Sequence, residues 1–237
     1  MMNFSRILAA GALAASYAFA QPVAPSVDQP EGQPAKKAGL NSKMGLGFHG
    51  QFEFTNLYGL AQDWNLGDDE EAPSGIGFVA GLRGRIPMMP VVHFAPELNF
   101  HYARLTQQDE AAKRSFQQMD IEVPLMLRGI LKDMFYVTAG AQLELNLYSK
   151  AKVDFGSDDN GGYLDPIDIE YEEDLDKATF GFGLVLGAGF VFFDRISVDA
   201  RFVLGLTEAY PNGESKFVTM DGAKQKSFQF GIGCWIL

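Results

Sequence analysis

A chain of 237 residues, 47% hydrophobic, 13% aromatic and 21% charged, has enough apolar material for one ordered domain and is far from the composition of a disordered polymer. Its net charge of −11 disfavours nucleic acid as a partner, which calls for the opposite sign. The single cysteine, Cys234, excludes an intramolecular disulfide, and its position on an apolar face predicts a small packing side chain, neither redox-active nor nucleophilic.

Residues 1–20 carry Arg6, then an almost wholly apolar run closing on Ala18-Phe19-Ala20 before Gln21. This predicts a secretory signal peptide with an A-x-A cleavage site. The run is shorter than the roughly 20 residues a membrane helix needs, and the absence of a cysteine after the site argues against a lipoprotein. Residues 21–43, rich in Pro, Ala, Gln and Ser and without periodicity, read as a disordered periplasmic tail. Residues 44–237 are expected to form one domain.

Eight alternating segments follow, at 44–54, 76–86, 92–102, 119–129, 135–147, 180–192, 196–206 and 228–236. Each is close to the roughly 9 to 11 residues with which a tilted strand crosses a bilayer. In the first, Met44, Leu46, Phe48, Phe52 and Phe54 share one face and Gly45, Gly47, His49, Gln51 and Glu53 the other. The second sets Phe78, Ala80, Leu82 and Ile86 against Gly77, Gly81, Arg83 and Arg85, and the third sets Phe94, Leu98, Phe100 and Tyr102 against His93, Glu97, Asn99 and His101. The fourth opposes Ile121, Val123, Leu125 and Leu127 to Asp120, Glu122, Met126 and Arg128. The fifth opposes Val137, Ala139, Leu143 and Leu145 to Thr138, Gln142, Glu144 and Asn146. In the sixth the polar-side positions are Gly181, Gly183, Gly187 and Gly189, which leaves room for long neighbours such as Glu144 and Arg201.

The connections alternate. Those after the second, fourth and sixth segments are tight, carried by Pro87-Met88-Met89-Pro90, Lys132-Asp133-Met134 and Asp194-Arg195, whereas the others are long, polar and acidic. All the long loops therefore fall at one end, as in an outer-membrane barrel and without reason in a soluble sandwich. Aromatic residues near both ends of the apolar faces (Phe54, Phe100, Tyr102, Phe180, Phe228; Phe135, Phe190, Phe192) flank an aliphatic band of Leu82, Leu98, Leu125, Leu143 and Leu186. Two girdles of this kind match rings at lipid headgroup level. The expected fold is an all-β, eight-stranded antiparallel up-and-down transmembrane β-barrel in the cell outer membrane.

Ten charges would point inward: Glu53, Arg83, Arg85, Glu97, Asp120, Glu122, Arg128, Glu144, Asp199 and Arg201. Eight strands enclose a lumen that side chains just fill, so these are expected to pair into a structural network, each arginine meeting a carboxylate. His49, His93 and His101 also point inward and are read as polar filling; inward serines are sparse, with Ser197 near a short turn and no outer-leaflet Ser beside a His, so no catalytic, cofactor or metal residues are assigned. The turn at 157–162 lacks the spacing and closing Glu of an EF-hand. The expected role is a side-chain-plugged barrel that acts as a structural or interaction protein through long acidic extracellular loops. A narrow ion or small-solute pore and an outer-membrane lipid-modifying enzyme are the alternatives.

Phe94-Ala95-Pro96-Glu97-Leu98-Asn99-Phe100, Ile121-Glu122-Val123-Pro124-Leu125, Phe182-Gly183-Leu184-Val185-Leu186-Gly187-Ala188-Gly189 and Val198-Asp199-Ala200-Arg201-Phe202 together resemble the PorT-like family of outer-membrane β-barrel proteins. The resemblance implies an eight-stranded barrel of OmpX- or OmpA-like architecture in a Gram-negative envelope, and little about activity. The end of the chain, Phe228-Gln229-Phe230-Gly231-Ile232-Gly233-Cys234-Trp235-Ile236, is similar to a barrel-assembly signal, although it closes on Ile236-Leu237 where such signals end in an aromatic residue. The implied partners are outer-membrane lipid, the barrel-assembly machinery and an unidentified protein or surface ligand at the loops.

Overall fold

The computed structural model describes residues 44–59, 72–108, 113–131, 134–155, 169–174, 180–193, 195–209 and 222–236. The expected leader and tail, the acidic run at 68–71 and the turn at 157–162 lie outside these described residues.

Nine strands are present among them: β1 (Gly45–Tyr58), β2 (Ser74–Met89), β3 (Val92–Gln108), β4 (Lys113–Leu131), β5 (Phe135–Phe155), β6 (Ile169–Asp174), β7 (Phe180–Phe192), β8 (Ile196–Gly205) and β9 (Lys224–Trp235). Eight of them close a ring of antiparallel neighbours, β1-β2-β3-β4-β5-β7-β8-β9, with β9 pairing back onto β1 from Gly47↔Trp235 to Tyr58↔Lys224. Closure leaves no sheet edge in the apolar layer, the only way a sheet satisfies its backbone in lipid. At the turn end the Ile236 N–H ties the seam to the Leu46 carbonyl and the Trp235 N–H holds β9 to the Arg195 carbonyl before β8, both at 2.8 Å.

The faces follow the alternation. Outward side chains are apolar and exposed, as at Phe54, Phe78, Leu82, Leu125, Leu143, Leu186 (58%) and Ile232 (62%), whereas Glu53, Arg83, Glu97, Asp120, Arg128 and Arg201 are buried inside. A soluble carrier would reverse this, with a greasy lumen and a wet exterior. Outward rings meet their neighbours, Phe202 with Phe228 and Phe135 with Phe190 at centroid distances of 4.9 Å, and Phe78 with Tyr102 at 5.6 Å.

Two features differ from the expectation. β6 lies where only a loop was expected; it pairs with the far part of β5, from Lys150↔Asp174 to Phe155↔Ile169, outside the closed ring. The wall is also uneven: β3, β4 and β5 run for 17, 19 and 21 residues, whereas β7 and β8 have 13 and 10. β5 leaves β7 at Leu145↔Phe180 and takes up β6 only from Lys150. Between them, opposite Met119 and Asp120, the register shifts, so that Leu147 and Tyr148 both face outward and the inward positions move from Gln142 to Ser149 and Ala151.

Candidate functional site: the barrel interior

The strands bring inward charges from distant parts of the sequence together across the lumen. Arg201 on β8 donates through Nη1 and Nη2 to both Glu97 oxygens on β3 at 2.6 and 2.7 Å, a bidentate fork in a buried setting. His49 Nδ1 stands 3.6 Å from the same carboxylate, while His49 Nε2 is 2.8 Å from Asn99 Oδ1. Nearer the short turns, Arg83 donates to Asp199 at 2.8 Å and to Ser197 Oγ at 2.9 Å, and the Tyr136 hydroxyl donates to the other Asp199 oxygen.

The remaining two arginines lie against aromatic rings. Arg128 lies over the Tyr136 ring at 4.2 Å and makes no ion pair among the described residues; its Nε and Nη2 make no hydrogen bond. Arg85 lies 4.7 Å from the centre of the Trp235 ring, which Arg83 and Arg128 also approach at 5.4 Å. The expectation that every arginine meets a carboxylate fails for Arg128, because height along the barrel separates the charges. Glu53, Asp120, Glu122 and Glu144 gather toward the loops, whereas Arg83, Arg85 and Arg128 gather toward the turns, where Arg83 takes Asp199 and Arg128 has the Tyr136 face for a partner.

At the loop end, His101 is the hub. Its Nδ1 is 3.1 Å from Asp120 and 3.5 Å from Glu122, and its Nε2 is 3.2 Å from Glu53. Both ring nitrogens thus face acceptors, an arrangement that an imidazolium satisfies as a double donor. Gln229 donates to the second Glu53 oxygen at 2.9 Å and Asn146 to the second Asp120 oxygen at 2.6 Å.

Glycines make the space that this filling occupies. A Cβ at Gly187 would stand 2.9 Å from Arg201 Cγ, and one at Gly233 2.1 Å from Arg83 Nη2. Gly181 backs onto Glu144 in the same way, at 3.2 Å from its Cβ. The lumen also holds an apolar group, Ala95, Met126, Val185 and Val203. Sequence reasoning missed Tyr136, Trp235, Gln225 and Ser227 as inward groups, and strand parity was the signal that could have found them.

Among the described residues no three His, Cys, Asp or Glu side chains are placed to hold a metal ion. Ser197 accepts from Arg83 and donates weakly to Asp199 at 3.4 Å, and the three histidines sit with Asn99 and Glu97, with three acids, and beside Arg128 in the β3–β4 register.

A closed antiparallel barrel, apolar outside and charged within, is a protein of the outer membrane. The family comparison bears on the same question: the chain belongs to the outer membrane protein beta-barrel domain family, whose model matches residues 19–210. The match stops short of β9, the strand that closes the ring on β1. Among solved structures, the chain is similar to neisserial surface protein A (14% identity, TM-score 0.49, 80% of this chain and 96% of that one). It is also similar to Ail of Yersinia pestis in complex with the heparin analogue sucrose octasulfate (11%, 0.46, 82% and 99%). A third is OprG of Pseudomonas aeruginosa (8%, 0.39, 84% and 98%). No curated protein sequence matches the chain.

Proposed function

We propose that this outer-membrane barrel is plugged by its own side chains and serves as a structural or interaction protein through its loop end, without catalysis. The observation that carries the reading is the buried Glu97–Arg201 fork, which spans the lumen from β3 to β8 beside the Ala95, Met126, Val185 and Val203 group. An ion passing through would have to break that fork and strand both charges in a medium of low polarity. Supporting this, the lumen of eight strands has room for side chains and little else.

The loop side would then carry the function, since β3, β4, β5 and β6 extend beyond the ring on that side and offer a ledge to a protein or surface ligand. The finer assignment to PorT-like barrels, a leader removed after Ala20, and recognition of the β9 segment by the assembly machinery belong to the same proposal. The test is planar-bilayer recording on refolded protein. No steady single-channel conductance is expected, and a reproducible conductance scaling with salt would replace the plug with a pore.

A further inference from the structure

Between the acidic hub and the loops lies a cavity of about 30 Å³, lined among others by Glu53, Glu122, Glu144, Glu208, Val203 and Phe182. It reaches from the buried Glu53 and Glu122 to the exposed Glu208, opening where β8 has already ended at Gly205 and the wall is low. We infer that this cavity is a binding site for a primary ammonium group, the cationic end of a small alkylamine.

The argument starts from unsatisfied chemistry. Both oxygens of Glu53 are engaged, by His101 and Gln229, and so are both of Asp120, by His101 and Asn146. Glu122 is 3% exposed; its Oε1 faces His101 at 3.5 Å, and among the described residues its Oε2 makes no hydrogen bond. A buried carboxylate oxygen left without a donor is costly, more so than a neutral group.

Size and geometry select the class of cation. A metal ion is disfavoured because no three acidic or histidine ligands among the described residues close on one point, and calcium wants six to eight oxygens at roughly 2.3–2.6 Å. A guanidinium needs a wide planar slot, and a quaternary ammonium has no N–H and needs a cage of rings, whereas the one aromatic residue of the lining, Phe182, is exposed on the outer face. About 30 Å³ is roughly twice what one water-sized sphere requires. That is space for an –NH₃⁺ and the carbon that bears it. The three N–H groups suit carboxylates, and the buried Val203 and Ala209 offer the carbon an apolar side.

The experiment is titration of the full-length refolded barrel in detergent, at constant ionic strength, with ethylammonium, tetramethylammonium, sodium or calcium chloride, read by calorimetry and by the unfolding midpoint. Ethylammonium alone should bind saturably and raise the midpoint. E122Q, which keeps the shape and removes the charge, should weaken binding about tenfold or more, the worth of a hydrogen bond to a charged group. E208Q, at the exposed mouth, should weaken it less. Equal binding of tetramethylammonium or calcium, no binding by any cation, or unchanged ethylammonium affinity in E122Q would each overturn the assignment. An E122Q protein that fails to fold leaves the wild-type comparison of the four cations to decide.

Discussion

Replacing Arg201 by Met tests whether the interior holds the barrel together. The change removes a buried guanidinium that makes two bonds of 2.6 and 2.7 Å to Glu97 and keeps a side chain of similar length. Removing one partner of a buried ion pair costs about 3 to 5 kcal/mol, because the other charge remains without compensation. His49 offers little relief: its Nε2 donates to Asn99 Oδ1, so Nδ1, 3.6 Å from Glu97, carries no proton in the neutral ring, and the expected loss stays at about 3 to 5 kcal/mol. Urea unfolding of the refolded barrel in detergent, followed by the shift between folded and boiled forms on a gel, reads the difference. The double variant R201M/E97L should recover most of the loss, since an apolar pair replaces an ion pair of similar volume at little cost. A loss below about 1 kcal/mol for R201M, within the range of an exposed pair, or a double variant no better than the single one, would refute the reasoning.

Lipid-facing and lumen-facing substitutions should separate cleanly. Leu186→Arg places a cation on the exposed apolar band and should cost about 2 to 4 kcal/mol, whereas Gln142→Arg points among Glu53, Glu122 and Glu144 and should be far milder; a reversed order in the same urea assay would exchange inside for outside. Gly233→Ala drives a methyl to 2.1 Å from Arg83 Nη2 and should cost about 2 kcal/mol, in the range of overpacking. Arg83 must then leave Ser197 and Asp199, so a neutral Gly233→Ala would mean that Arg83 is loosely held.

The strands and their faces were legible because lipid imposes a rule on them. Within the bilayer every second residue must be apolar, so Phe48, Phe52 and Phe54 against His49, Gln51 and Glu53 identify β1 and its orientation at once. Beyond the bilayer the rule lapses. Arg114 to Gln118 and Ser149 to Lys152 continue β4 and β5 with no apolar outer face to announce them, and the sequence of β6, Ile169–Asp174, is four acids with Ile169 and Tyr171. The shift at Leu147 and Tyr148 hides the extension further, because it moves the inward parity within one strand. The interior was legible as a set of charges and illegible as a set of partners. Parity says that Arg128 and Trp235 both point inward, but only the stagger of strands around the ring places Arg128 on Tyr136 and beside Trp235 rather than on an acid.

That stagger also explains why the pairs that matter are so far apart in the chain. Neighbouring strands from β1 to β5 and from β7 to β9 pair through hairpins, so most of the sheet can form from local contacts. Glu97 and Arg201 are 104 residues apart and Arg83 and Asp199 are 116, and each pair joins a strand of the first group to β8 in the second. Neither can form until the two halves face each other across a lumen, which requires the β1–β9 seam and the β5–β7 pairing to close. Before closure these charges can keep their water; after it they must have one another. The desolvation of the interior is therefore incurred in the same step that supplies its compensation. A partly closed barrel, with its arginines and carboxylates out of reach of their partners and losing solvent to lipid, is the least favourable state on the path. The interior charges thus serve the fold as a condition on closure, in which the whole ring is stable and its open intermediates are not.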